Sequence, residues 1–293
     1  MKETKIDRCI STYSIVGADP EKNEVGVAVQ SKFLAVGNVV QWGKGGVGAV
    51  ATQAWANASY GNRGIERMEQ GVHPEDIVKE LIAGDERKES RQFGIVDVKG
   101  RSANFTGADC ADWAGGKIGP CFAAQGNILT GPEVVDAMAD AFVNTDGDLT
   151  TKLMESLAAA QEAGGDKRGM QSAALAVWKI DGGYGGMTDR LVDLRVDEHQ
   201  NPIEELRRLL ELSRFYFGRT KEGNYAKIEG DVKDYILQTM IERGHYSGDV
   251  AGDWDQDKDD AFQYFSLVEN FDERLAPFGL VDNEVLAFMK KNF

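Results

Sequence analysis

The order in which hydrophobic periodicity changes along this chain is its strongest constraint. Short apolar runs of strand type occupy residues 11–17, 25–29, 39–42 and 47–53, joined by turn signals such as Asp19-Pro20 and the glycine-rich stretch 43–46. Helical spacing follows over 65–70 and 74–83, the second opened by Pro74 and ended by Gly84. Strand patterns return at 92–98, 101–105 and 122–125, followed by helices at 132–143 and 149–163. Strands at 170–180 and 190–196 and an amphipathic helix from Pro202 to Phe217 complete the series. A parallel doubly wound sheet needs strict alternation of strand and helix, and this is a different pattern. Adjacent strands on tight turns pair antiparallel, and helices that come in pairs cover outer faces. The expectation is an α+β fold, a four-layer αββα sandwich. Its glycine- and alanine-rich strands would let two sheets pack closely.

Beyond Gly218 the composition shifts to a Lys/Glu/Gly/Asn linker and then to acidic, helical sequence, with candidate helices at 232–243, 259–268 and 283–291. The expected organisation is therefore an extension over 1–11, a main domain over 12–218 and a small helical module over 219–293. A hydrophobic fraction of 42% in 293 residues supports a sizeable core without disulfides or metals.

Charge removes several functions. The net charge is −15, from 33 basic and 48 acidic residues, so the clustered Lys/Arg surface that binds nucleic acid or an anionic membrane is not expected. Cys9, Cys110 and Cys121 are odd in number and unrelated in spacing, which argues against a secreted disulfide framework. The start, MKETKIDRCIS, lacks an apolar h-region, and no run approaches the roughly 18 residues of a membrane span. A cytoplasmic address is expected.

Several motifs look chemical and fail on context. Gly43-Lys44-Gly45-Gly46-Val47-Gly48 fits GxGxxG, but Ala49-Val50 open a strand where a phosphate site needs a helix N-terminus. The acidic run from Asp253 has Lys258 and Tyr264 where a calcium loop requires glycine and glutamate, and reads as a helix-capping loop. The three histidines, His73, His199 and His245, form no HExxH or HxH pair, and there is no GxSxG elbow. No metal and no cofactor are expected. His73 and His199 read as capping or surface residues.

Chemistry without histidine is available to an N-terminal nucleophile. A Thr, Ser or Cys freed at the chain's first position uses its own α-amine, pKa near 8, as general base. A carbonyl substrate also needs oxyanion donors. Polar residues that interrupt small or apolar strands are the candidates: Gln30, Ser31 and Lys32; Thr52, Gln53 and Asn57; Gln125 and Asn127; Gln171 and Ser172. For any single one, sheet-edge or inter-sheet hydrogen bonding is the favoured reading, and the cluster is more suggestive than its members.

From Thr12, TYSIVGADPEKNEVGVAVQSKFLAVGNVV resembles the bacterial family catalogued as domain of unknown function 1028. GVGAVATQAWANASYG from Gly46, RQFGIVDVKGRSANFTG from Arg91, AAQGNILTGPEVVDAMADAF from Ala123 and GGDKRGMQSAALAV from Gly164 extend the resemblance over about residues 12–217. It implies the αββα sandwich of the Ntn hydrolases and leaves activity open. A looser similarity to proteasome-type subunits implies Thr12 as nucleophile at the start of the first strand. Their acid-bearing motif on the next strand is here Gln30-Ser31-Lys32, without the acid. Asp166 and Ser172 echo their later Asp…Ser-Gly-Gly motif. The tail is similar to peptidoglycan-binding modules at Leu237, Gly244-His245-Tyr246-Ser247-Gly248, Ala261-Phe262, Phe265 and Gly279-Leu280-Val281-Asp282. A peptidoglycan fragment is the ligand that similarity implies. Docking of the module on the main domain, or on a second copy in a homo-oligomer, is the alternative.

The leading expectation is an Ntn-type amidohydrolase acting on a small amide or peptide-like substrate, with Thr12 as nucleophile after cleavage of the bond to Ser11. The rival is a non-catalytic binding protein on the same scaffold. A third course is an internal nucleophile, Ser31, with Lys32 as base. Around these stand Gln30, Gln53, Asn57, Gln125 and Asn127 as substrate-binding candidates.

Overall fold

The computed structural model describes residues 12–293, so the expected extension over 1–11 and its bond to Thr12 lie outside the described residues. The chain divides into two compact units, Met1–Arg208 and Leu209–Phe293. The first unit opens with the hairpin β1 (Thr12–Asp19) and β2 (Glu24–Ser31), followed by one helical turn, α1 (Gly37–Val40). The hairpin β3 (Gln41–Lys44) and β4 (Gly48–Ala54) precedes α2 (Ser59–Glu69) and α3 (Pro74–Ala83). Next come β5 (Arg91–Asp97), β6 (Ser102–Thr106), β7 (Gly115–Gly119) and β8 (Phe122–Asn127), then α4 (Glu133–Asn144) and α5 (Leu149–Glu162). Strands β9 (Ser172–Lys179) and β10 (Arg190–Val196) lead into α6 (Pro202–Tyr216), where the units divide.

Two antiparallel sheets result, β10-β9-β2-β1-β8-β7 and β3-β4-β5-β6. Between them lies an apolar layer of Val16, Val25, Val27, Val29, Ala49, Ala51, Val96, Ala174 and Trp178. Helices α2 and α3 cover the outer face of the smaller sheet, on Val50, Phe93 and Ile95. Helices α4 and α5 cover the larger one, where Phe142 and Leu153 fill the space left open by Gly17 and Gly26. The layers run helix, sheet, sheet, helix. The fold is the expected α+β sandwich.

Local chemistry accounts for the element ends. His73 caps α3, its ring nitrogen accepting from Glu75 N at 3.3 Å, and His199 accepts from Asn201 N at 3.0 Å. Residues 39–42 do not form one strand. Val39 and Val40 complete the turn of α1, and pairing begins only at Gln41.

In the second unit, β11 (Tyr225–Lys227) pairs with β12 (Leu280–Asp282) beside α7 (Gly230–Glu242), α8 (Gln256–Val268) and α9 (Asn283–Asn292). Asp255 caps α8 by accepting from Lys258 N at 3.0 Å, so the acidic loop is a helix cap. The unit begins at Leu209 and not after Gly218, because Phe215 and Tyr216 belong to its aromatic core. Phe215 stacks on Phe288 at 4.4 Å and meets Phe271 edge-on at 5.6 Å.

The glycine-rich hairpin between β3 and β4 owes its composition to packing. A Cβ at Gly43 would lie 2.2 Å from the Trp178 ring, and Gly46 takes φ +74°. Gly43→Ala should therefore destabilise the protein by about 1–3 kcal/mol, seen as a lower urea midpoint. An unchanged midpoint would mean that the close approach of β3 to Trp178 is not required.

Candidate functional site

Strand alternation assigns every inner-face residue of the sandwich. On β1, Val16 and Ala18 belong to the inter-sheet layer, so Thr12 and Ser14 share their face, while Tyr13, Ile15 and Gly17 look toward the helices. The register then sets Ser172 of β9, Ser31 of β2, Thr12 of β1 and Asn127 of β8 in one row across the sheet. All four are fully buried. The Thr12 hydroxyl donates to Ser31 Oγ at 3.1 Å.

The row is the end of a gradient. Moving inward, Ser31 gives way to Val29 and Val27, Thr12 and Ser14 to Val16, Asn127 and Gln125 to Ala123, and Ser172 to Ala174 and Ala176. The facing sheet repeats this, with Gln53 before Ala51 and Ala49, and Gln92 before Gly94 and Val96. One end of the inter-sheet space is polar and the other apolar.

At the polar end, hydrogen bonds among the described residues join uncharged side chains. Gln53 Nε2 donates to Gln92 Oε1 at 2.8 Å and reaches the Thr12 carbonyl at 3.3 Å. Asn127 Nδ2 donates to the same Gln92 Oε1 at 2.9 Å. Ser14 Oγ donates to Gln53 Oε1 at 2.6 Å and accepts from Gln125 Nε2 at 2.7 Å. Gln125 Oε1 is buried and finds no partner among the described residues; it lies where a Cβ on Gly94 would come within 2.1 Å.

Five sequence candidates thus converge: Thr12, Ser31, Gln53, Gln125 and Asn127. Ser172 stands in the row, but its hydroxyl donates to the Phe33 carbonyl at 2.5 Å and accepts from Val36 N at 3.0 Å, so it clamps the turn after β2. Asp166 is buried against Arg168, whose guanidinium lies 3.0 Å away, and also accepts from Lys32 N at 3.3 Å. Lys32 is exposed, and its ammonium donates to the Met170 carbonyl at 3.1 Å. It follows the end of β2.

Gln30 and Asn57 stand elsewhere. Gln30 is one residue out of phase with Ser31, so it faces the helices beside Tyr13. Asn57 lies just before α2, accepts from Ser59 N at 3.2 Å and donates to Asp85 at 3.2 Å. Thr52 likewise turns outward, reaching the Asn57 carbonyl at 3.3 Å. The Arg91 guanidinium beside Asp85 holds that carboxyl well below the usual range. Burial pushes the Tyr13 phenol upward, with the Asp166 charge adding to it, so Tyr13 serves as a donor, to Gln161 Oε1 at 2.9 Å.

Gln92 and Ser14 are site residues that sequence reading missed. Gln92 opens the strand expected over 92–98. The available signal was its phase with Gly94 and Val96. Among the described residues, no three His, Cys, Asp or Glu side chains converge as metal ligands, and no helix is long and apolar enough to cross a membrane.

Both amide atoms of Gln30 are buried without a hydrogen-bond partner among the described residues, an arrangement that carries an uncompensated desolvation cost. Gln30→Met should raise stability by about 1–2 kcal/mol in chemical denaturation. A loss of stability would show instead that the amide holds a buried water.

Comparison with known proteins follows the same division. A family model described as "Family of unknown function (DUF1028)" matches residues 12–206. A second, described as "Putative peptidoglycan binding domain", matches residues 216–289. The fold is similar to the crystal structure of protein SPO2555 from Silicibacter pomeroyi, described under the same DUF1028 model, with 31% identity and a TM-score of 0.63. That match covers 77% of this chain and 93% of the other. No curated protein matches the chain.

Proposed function

The chain belongs to the family of unknown function DUF1028, and on that scaffold we propose an amidohydrolase of N-terminal-nucleophile type, with Thr12 as the nucleophile. The observation that carries this reading is the buried row Ser172–Ser31–Thr12–Asn127, in which the Thr12 hydroxyl is held by Ser31. The row and its amide partners among the described residues are uncharged, and in this reading the base comes from the main chain. Removal of residues 1–11 supplies one. The freed Thr12 amine takes the hydroxyl proton, Oγ1 attacks the amide carbonyl, and the tetrahedral oxyanion is met by amide donors. The ammonium then protonates the leaving amine, and water hydrolyses the Thr12 ester. The substrate class is a small amide or peptide-like molecule.

Intact mass of the purified protein should show loss of residues 1–11, while Thr12→Ala should keep them and lack amide hydrolysis at an unchanged melting temperature. An acylated Thr12 nitrogen is not basic, so a native protein that retains Met1 or Lys2 refutes the mechanism. The non-catalytic binding protein would then stand. Activity should rise with pH as the amine deprotonates, around its unperturbed value of about 8, because only the neutral amine accepts a proton.

For the second unit, the peptidoglycan-binding family match supports a peptidoglycan fragment as ligand. The full-length chain should co-sediment with purified insoluble peptidoglycan, and a chain ending at Arg208 should not. Equal sedimentation of both would remove the second unit from that role.

A further inference from the structure

The hydrogen bonds of Gln92 allow only one orientation of its amide. Nε2 lies 2.7 Å from the Gly126 carbonyl, 3.3 Å from the Gly115 carbonyl and 2.9 Å from Thr106 Oγ1. Carbonyl oxygens only accept, so the nitrogen must face them and Oε1 must face the other way. Oε1 is therefore an acceptor, and Gln53 and Asn127 must each present their NH₂ to it, at 2.8 and 2.9 Å. One fixed amide dictates which way two others face. Gln53 then has its oxygen turned to the Ser14 hydroxyl, and Asn127 has its oxygen turned away from Gln92.

The main chain fixes the same two residues a second time. Each is followed by a left-handed residue that carries a Cβ: Ala54 at φ +61° after Gln53, and Ile128 at φ +53° after Asn127. For a β-branched residue this conformation is strained by about 1–2 kcal/mol. It persists at Ile128 because both its peptide groups are held, the N–H donating to the Ala111 carbonyl and the carbonyl accepting from Lys167 N, each at 3.0 Å. Over-determined strain of this kind collects where geometry serves function.

We propose that Gln92, together with the left-handed backbone at Ile128, is the positioning element of the site, fixing the amide of Asn127 beside Thr12. Gln92 makes no hydrogen bond to Thr12 in the network above. It acts through Asn127, the cross-strand partner of Thr12, and through Gln53, which donates to the Thr12 carbonyl at 3.3 Å. The inference rests on Thr12 being the nucleophile.

The test uses a fluorescent β-lactone and the protein with Thr12 at its terminus. Thr12 Oγ1 attacks the lactone carbonyl, the ring C–O bond breaks, and the hydroxyl proton passes to the released alkoxide, leaving an ester readable by mass. Wild type unlabelled at Thr12 overturns the nucleophile reading, and this inference with it. With wild type labelled, Gln92→Glu reports on orientation. Its protonated carboxyl donates to the Gly126 carbonyl and accepts from Gln53 and Asn127, whereas its ionised form cannot donate. The Gln92→Glu to wild-type ratio of labelling rates should approach one at low pH and fall by roughly 10²-fold as the carboxyl ionises. Melting temperatures at each pH identify where the variant is folded. A ratio that stays flat across that range overturns the proposal. Should Gln92→Glu not fold, Gln92→Met decides: it keeps the side-chain volume, removes the acceptor that orients Gln53 and Asn127, and should label roughly 10-fold or more slowly. Labelling at the wild-type rate overturns the proposal.

Discussion

Two antiparallel sheets pressed face to face, about 10 Å apart, exclude water from the space between them. Every side chain on the inner faces must be apolar or must complete its hydrogen bonds within that space. This chain uses both solutions and separates them along the strands. Val16, Val27, Val29, Ala51, Ala174 and Trp178 fill one end, and Thr12, Ser14, Ser31, Gln53, Gln92, Gln125 and Asn127 fill the other. Close approach is set by glycine at both ends, Gly43 against Trp178 and Gly94 against Gln125. The position of Thr12 follows from the register of β1 between β2 and β8, which sets Thr12 beside Ser31 and Asn127 and Val16 beside Val27 and Ala123.

Much of this was legible in the sequence. Hairpins and paired helices announced antiparallel sheets covered on their outer faces, because period-two runs on tight turns leave few other arrangements. Strand β7 was not legible, since Gly115-Gly116-Lys117-Ile118-Gly119 carries no alternation and lies at a sheet edge. The site was half legible. Polar residues interrupting apolar strands picked out Ser31, Gln53, Gln125 and Asn127, yet Gln30 was grouped with them. Strand β2 is buried on both faces, so burial cannot say which of Gln30 and Ser31 looks inward. Only pairing with β1, and hence the phase of Thr12 and Tyr13, decides it.

The unit boundary shows the same limit. Composition changes after Gly218, but packing changes earlier, because Phe215 and Tyr216 close the aromatic core of the second unit with Phe271 and Phe288. Composition reports what is exposed to solvent along a linker. It does not report which core the last turns of a helix join.

The polar end of the sandwich is more than the fold needs. The neighbouring half of the same strands shows that valine and alanine pack this space, and replacing paired buried polar groups by apolar ones of similar shape is often neutral or stabilising. Here the amides instead leave Gln125 Oε1 without a partner among the described residues and place Ala54 and Ile128 in left-handed backbone. Each feature costs stability, and all three fall at one end of the inter-sheet space, beside Thr12. On the proposed reading, the hydroxyls and amides gathered at this end are what Thr12 would draw on.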